Sequence, residues 1–502
     1  MDTKKISKIL IGTSYAYILL PFLIFTAGWM KLCFSIPIVV ILIFCYYKIV
    51  CETPSLWLPE LNKENVIKAL FIVGLIAIWV YYSGIGKFVF QNTDHYARNG
   101  IFDLLVEKKW PIVSNNLSQF RMQGISMTGL IYYIGYWLPS AVVGKILGLR
   151  VGYYAQAIWA VLGITLLYYF VCAHLKKLRI WPLIVLIFFS GWDIVGTFLN
   201  DSNIFLIANS LHLEQWATAY QYSSITTQLF WVFNQAVPIW LCTMMIYTQK
   251  DNRNRIFILA CTMLTSTLPF IGLLFIVLFF CLTQREKDFS HNIGKRSSFV
   301  QYVKAVISDT CTVQNIVGGG IIGILTFLYL SSNIAGTNSS SANTVLYNPS
   351  MQNRLFKLIV FLLLEVGVYV VVLYKYHSDN RLFYYIIVCL CIIPIIHIGT
   401  SNDFCMRTSI PFLFLIAVFT IESIEKALIL KEKRMFLIII AVLIIGGITP
   451  LHEFARTISQ SNERVANNQQ VEENDASTWE IMNSINFAGD VEHSIFFKYI
   501  SK

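Results

Sequence analysis

Asp94, His95 and Arg98 stand together in Asn92-Thr93-Asp94-His95-Tyr96-Ala97-Arg98, in the first long polar stretch to follow an apolar run. A carboxylate where hydrocarbon meets water can take the proton of an attacking hydroxyl, provided its geometry and basicity suit. Thr93 or Asp94 can equally do no more than cap the helix that follows. Arg407, in Ser401-Asn402-Asp403-Phe404-Cys405-Met406-Arg407, offers a planar fork of N–H donors that suits a phosphate or diphosphate. Asp403, four residues earlier, can instead pair with it along a helix. Arg121 and Gln123 form a third polar cluster, just before the chain turns apolar again.

A fourth set lies between 193 and 235: Asp193, His212, Glu214, Gln221, Asn234 and Gln235, interleaved with Trp192, Trp216, Tyr220, Tyr222, Trp231 and Phe233. Aromatic faces beside amides and carboxylates hold sugar rings, and they also anchor helices at membrane interfaces. So many neutral hydrogen-bonding side chains exceed what an anchoring belt requires. The chain has no phosphate loop, dinucleotide fingerprint, HExxH or nucleophile elbow. His95, His212 and His397 lack ligand spacing, so no metal and no cofactor is expected. A reaction here must draw its driving force from an activated substrate in or near the membrane.

The elements that carry these residues follow from the scarcity of charge. Only 13% of 502 residues are charged and 56% are hydrophobic; mean hydropathy is +0.62. That excludes a soluble globular class and disorder. Within a bilayer every backbone amide must be satisfied internally, so such a chain crosses as helices of about 20 residues. The expected fold is an all-α polytopic transmembrane bundle of about 11–13 spans, within residues 1–450. Apolar windows fall near 9–28, 33–50, 67–86, 126–148, 151–173, 181–199, 227–248, 256–282, 314–331, 355–374, 383–399, 409–427 and 435–450. The eleven Cys, mostly inside apolar runs and without CxxC pairs, read as small core side chains. The basic start before Ile9 reads as an uncleaved first helix.

A net charge of +10 fits cytoplasmic loops better than nucleic acid. With the basic clusters at Lys4–Lys8, Lys176–Arg179, Lys250–Arg255, Arg285–Lys304, Lys375–Arg381 and Lys426–Arg434 inside, the N-terminus is cytoplasmic. The loop 87–125 and a short tail, 451–502, are then extracytoplasmic. One conflict remains. If 126–148 and 151–173 both cross, Lys176–Arg179 lands outside, so Pro139, Gly144 and Gly148 mark the first as short or re-entrant. Pro269 likewise splits 256–282 into a hairpin with both ends cytoplasmic. Residues 94–105 are expected as an interfacial helix presenting Tyr96, Ile101, Leu104 and Leu105 to the membrane surface.

Asp94-His95-Tyr96 after a span, Trp110-Pro111, Tyr132 to Pro139, and Phe230 to Pro238 resemble bacterial integral-membrane proteins related to GT-C glycosyltransferases, which use polyprenyl-phosphate sugars. The likeness covers most of the chain in layout, through short motifs. It departs in two ways: two extra spans precede the acidic residue, and the C-terminal domain is reduced to the tail. The resemblance implies a plasma-membrane enzyme whose outer face moves a sugar, with inversion, from a polyprenyl-phosphate carrier to a glycan, lipid or protein. It implies Asp94 at the catalytic centre; Arg407, with Arg98 or Arg121, on the carrier phosphate; and Glu214, Gln221 and Asn234 on sugar hydroxyls. His95, Gln123, Asp193, Gln235 and Asp403 complete the candidate substrate site. Membrane lipids are the expected surroundings. The rivals are a surface-polysaccharide polymerase or ligase, and a flippase or secondary transporter.

Overall fold

The computed structural model describes residues 3–115, 120, 124–200, 202–203, 212–283, 296–337, 351–398, 402–466 and 475–502. Among these, eight helices are long and apolar enough to cross a bilayer. They become nine if Tyr302–Thr310 and Gln314–Leu330, bent by 60° at their break, form one span. The chain is thus a helical bundle with the lengths and apolarity of a membrane protein.

It opens with α1 (Thr3–Trp29), α2 (Leu32–Glu52) and α3 (Lys63–Tyr82). Asn62 starts α3 by accepting the Asn65 N–H at 2.8 Å, and Glu64 lies in the first turn, where the helix dipole favours a negative charge. Next come α4 (Asp94–Glu107), α5 (Leu138–Leu147), α6 (Leu149–Leu175), α7 (Trp181–Phe188) and α8 (Asp193–Asn200).

The window 126–148 is not one continuous helix. It enters as a short strand, Thr128–Leu130, and reaches Gly135, whose N–H donates to the Leu264 carbonyl at 2.9 Å. It then returns as the ten-residue α5, where Lys145 reaches the Val106 carbonyl at 3.2 Å. Gly148, at φ 96°, turns the chain into α6, a backbone angle that favours glycine. α6 then runs to the end of the bundle that holds the N-terminus, where Tyr169 meets Ser7 at 2.9 Å. Lys176 to Arg179 therefore lie with Lys8, and the charge conflict disappears.

The window 256–282 is a hairpin of Arg255–Thr262 and Thr267–Thr283. Its ends are side by side, with the Arg255 guanidinium 4.2 Å from the Phe280 ring centre. Pro269 falls in the first turn of the second arm, where its missing N–H costs nothing. The hairpin tip supplies the Leu264 carbonyl to Gly135, so two dips entering from opposite ends satisfy each other's backbone. Non-helical chain at membrane depth needs such a partner.

A third interruption lies in Ile225–Thr248, which is kinked at Val232 (φ −136°, ψ 35°). The Trp240 indole N–H consequently donates to Gln228 Oε1 at 2.9 Å. In a straight helix those residues would stand about 18 Å apart. Inside lipid, burying one apolar side chain against another gains little from water release, so close packing must hold these pieces.

Two expectations are corrected. In α4, Ile101, Leu104 and Leu105 are buried against the protein, and Tyr96 is the exposed one. Apolar side chains look alike whether they will face lipid or a neighbouring helix. Residues 451–502 are also more than a tail. Ile448–Ala466 extends the helix Lys433–Gly446, and 475–502 folds back onto α4. There β3 (Ala488–Asp490) pairs antiparallel with β2 (Thr128–Leu130), which also pairs with β1 (Val113–Ser114). The backbone of Lys502 closes the chain on the Trp29 carbonyl at 3.0 Å.

Candidate functional site

The kink at Val232 positions α4. At that bend the Phe230 carbonyl accepts from Asn92 Nδ2 at 3.3 Å and bonds His95 Nε2 at 3.1 Å; the Trp231 carbonyl accepts from Arg98. Buried carbonyls must be paired, and the start of α4 meets that need. His95 is 1% exposed, and Gln91 Nε2 faces its Nδ1 at 3.2 Å. Burial, aided by the Arg98 charge, holds its imidazole down to about 4. A neutral ring donating from Nε2 fits both contacts. His95 therefore fastens α4 and does not line the cavity, contrary to the sequence expectation.

Arg98 spends its other terminal nitrogen on Asp94 Oδ2 at 2.8 Å. Thr93 makes no side-chain cap bond, and Asp94 turns its carboxylate to Arg98 rather than to the helix end. The Asp94 side chain remains 40% exposed. Burial pushes its carboxyl up, but Arg98 and then Arg407 outweigh that and hold it below the ordinary carboxylate value.

Asp94 opens into a cavity of about 520 Å³, whose lining includes Arg98, Tyr132, Tyr133, Thr267, Asn333, Asp403, Arg407, Asn486 and Phe487. Arg407 arrives on the short helix Asp403–Thr408. It donates to the Tyr133 hydroxyl at 2.9 Å and pairs with Asp403 at 2.9 Å, the i,i+4 contact its spacing allowed. Tyr133 also accepts from Gln235 Nε2 at 3.0 Å, which puts Gln235 behind the cavity wall. Among the described residues of the lining, two guanidiniums stand against two carboxylates, with no net charge.

The other expected sugar ligands lie elsewhere. Asp193 is buried, accepting from Ser190 Oγ at 2.8 Å and Thr449 Oγ1 at 3.0 Å, and it shares a hydrogen bond with Glu365. Glu214 accepts the Ser224 N–H at 2.8 Å and the Gln221 amide at 3.3 Å. His212 stacks on Trp231, 4.9 Å between ring centres, and Trp231 donates to Glu453 at 3.0 Å. Asn234 is fully buried with neither side-chain atom hydrogen-bonded. Asp193, Glu214, Gln221 and Asn234 thus belong to the packed interior, as do Trp216, Tyr220, Tyr222 and Phe233, which are buried. Arg121 and Gln123 lie outside the described residues. Among the described residues no group of His, Cys, Asp or Glu is arranged to hold a metal ion.

Sequence reading missed Tyr132, Tyr133, Asn333, Asn486 and Phe487, whose types carry no warning. Glu365 did carry one: an acid inside an apolar span is costly and therefore informative.

α4 also sets a pH response. Burial raises the Asp103 carboxyl from 3.8 to about 6, against the opposing pull of the Tyr153 hydroxyl and Lys87. Its contribution to stability is complete below the unfolded value and lost as pH rises through about 6. His95 works oppositely, because its depressed value costs stability as pH falls from 6.5 towards about 4. Asp103→Asn removes the first contribution and leaves that of His95 in place. Relative to wild type, its unfolding free energy should rise by roughly 1–3 kcal/mol between pH 4.5 and 7 in detergent melts. A parallel pair of curves would contradict this.

No protein-family model matches the chain, and no significant match was found among curated proteins or solved structures.

Proposed function

We propose that the chain is a GT-C-like membrane glycosyltransferase working at the outer face of the plasma membrane. It passes a sugar from a polyprenyl-phosphate donor to a cell-envelope acceptor. The observation that carries the reading is the meeting of Asp94 and Arg407, from opposite ends of the chain, in one water-accessible cavity beside an apolar bundle.

The acceptor hydroxyl hydrogen-bonds to the Asp94 carboxylate and attacks the anomeric carbon. The bond from that carbon to the phosphate oxygen breaks, its electron pair leaves with the polyprenyl phosphate, and the hydroxyl proton passes to Asp94 and on to water. Attack from the face opposite the phosphate inverts the anomeric centre. A carboxylate held low by two guanidiniums is a weak base, so its main service is orientation, with proton uptake as the attacking oxygen becomes acidic. Arg407 and Arg98 stabilise the charge that grows on the departing phosphate. Charge balance favours a phosphodiester over a diphosphate: a neutral site accepts one negative charge more readily than two or three. That weighs against the diphosphate-using polymerase or ligase. The test is consumption of polyprenyl-phosphate sugars by purified protein in lipid; no turnover across a panel of such donors would sink the reading.

A proton-coupled transporter is the second reading, favoured by the buried Asp193–Glu365 pair. It lies where α7 gives way to α8 and where the helix Leu355–His377 carries a wider turn at Leu363–Gly367. Proteoliposomes under a proton gradient should show no solute flux above empty vesicles. Flux abolished by Glu365→Gln would reverse the order of the two readings.

A further inference from the structure

We propose that Asn486 and Phe487 form the acceptor-reading wall of the cavity and that the acceptor they read is a saccharide; this rests on the transferase reading above.

The C-terminal segment is fastened to the same helix that carries Asp94. Asp475 pairs with Lys87 and accepts from Asn99 Nδ2 at 2.9 Å, and the Ala476 N–H donates to the Tyr96 carbonyl at 3.1 Å. Gly100 permits this approach, since a Cβ there would overlap the Ala476 carbonyl oxygen. Further along, the Tyr96 hydroxyl donates to Glu480 at 2.7 Å. The segment then reaches the cavity mouth. There the Phe487 carbonyl accepts from the Ile131 N–H at 2.8 Å, and the Asn486 carbonyl from Asn333 Nδ2 at 3.1 Å. The carbonyl of each residue is thus tied to a neighbouring element, and both residues line the cavity.

The cavity has two kinds of wall. Arg407, Tyr133 and Thr267 come from the bundle, and Asn486 and Phe487 from the folded-back terminus. A lipid-linked donor keeps its tail among the helices, so its phosphate must approach from the bundle side. The acceptor arrives from water and meets the terminus. Phe487 is only partly buried and meets Tyr132 edge to face, ring centres 4.9 Å apart at 88°; beside it stands the exposed Asn486 amide. An aromatic face next to an amide suits the C–H face and hydroxyls of a pyranose, and it suits an acyl chain poorly.

The experiment uses the full-length protein in lipid with a polyprenyl-phosphate sugar, and measures both slow donor hydrolysis by water and transfer to a panel of saccharides. In Phe487→Ala the KM for the saccharide should rise by about tenfold or more while donor hydrolysis stays within about twofold, the cost of one lost contact. Phe487→Tyr should restore wild-type KM. Asn486→Ala should raise the same KM by a smaller factor; its exposed side chain makes it the variant that decides the matter if Phe487→Ala does not fold. Unchanged saccharide KM with intact donor hydrolysis would overturn the wall and leave the transferase standing, as would transfer to lipid or peptide but to no saccharide. Absence of donor turnover in the wild type would instead overturn the transferase itself.

Discussion

Asp94→Asn is expected to lower sugar transfer by about 10²- to 10⁴-fold, the range associated with losing a positioned proton acceptor. The change is nearly isosteric. Arg98 keeps its bond to the Trp231 carbonyl, and the amide oxygen of the substituted side chain can still accept from it, but Arg98 is only 6% exposed, so some loss of stability is expected as the pair loses its charge. Loss of activity far beyond what the shift in the melting curve explains is thus the diagnostic combination. Donor binding should survive, because both guanidiniums assigned to the phosphate, Arg407 and Arg98, stay in place. Since the Asp94 carboxyl is already held low, wild-type activity should not fall through this group until the pH drops below the ordinary carboxylate value. Undiminished transfer at equal protein abundance would remove Asp94 from the mechanism.

Arg407→Lys is expected to reduce kcat by about 10²- to 10³-fold, as when one preorganised donor to a developing anion is lost. Lysine keeps the charge but has no planar fork, and cannot hold Asp403 and Tyr133 while offering parallel N–H groups to a phosphate. The growth of charge on the leaving phosphate places the loss in kcat more than in donor KM. Asp403→Asn serves as the control: Asp403 is 44% exposed, and trimming it should cost under about tenfold, in the range of a surface pair. Full activity in Arg407→Lys would mean that the phosphate is held elsewhere.

The site was partly legible because charge is scarce in this chain. Asp94, Arg98, Asp403 and Arg407 are conspicuous in an apolar sequence, and all four line one cavity. Tyr132, Asn333, Asn486 and Phe487 were not, since their types are ordinary and their shared position depends on the terminus crossing back to α4. His95 misled for the opposite reason. Its chemistry is versatile, but its neighbour in space is the Phe230 carbonyl at the Val232 kink, which no spacing along the chain reveals.

Topology divided in the same way. Low charge and long apolar runs identify a helical membrane bundle directly, because hydropathy adds up residue by residue and the bilayer responds to that sum. Pro139 and Pro269 also fall in the two apolar runs that the structure breaks into short pieces. Whether an apolar run crosses, turns back against another dip, or buries a carboxyl pair depends on which backbone groups find partners across the bundle. Those partners, Gly135 with Leu264 and Asp193 with Glu365, lie far apart along the chain. Their pairing is a property of packing in three dimensions, where local composition exerts no control.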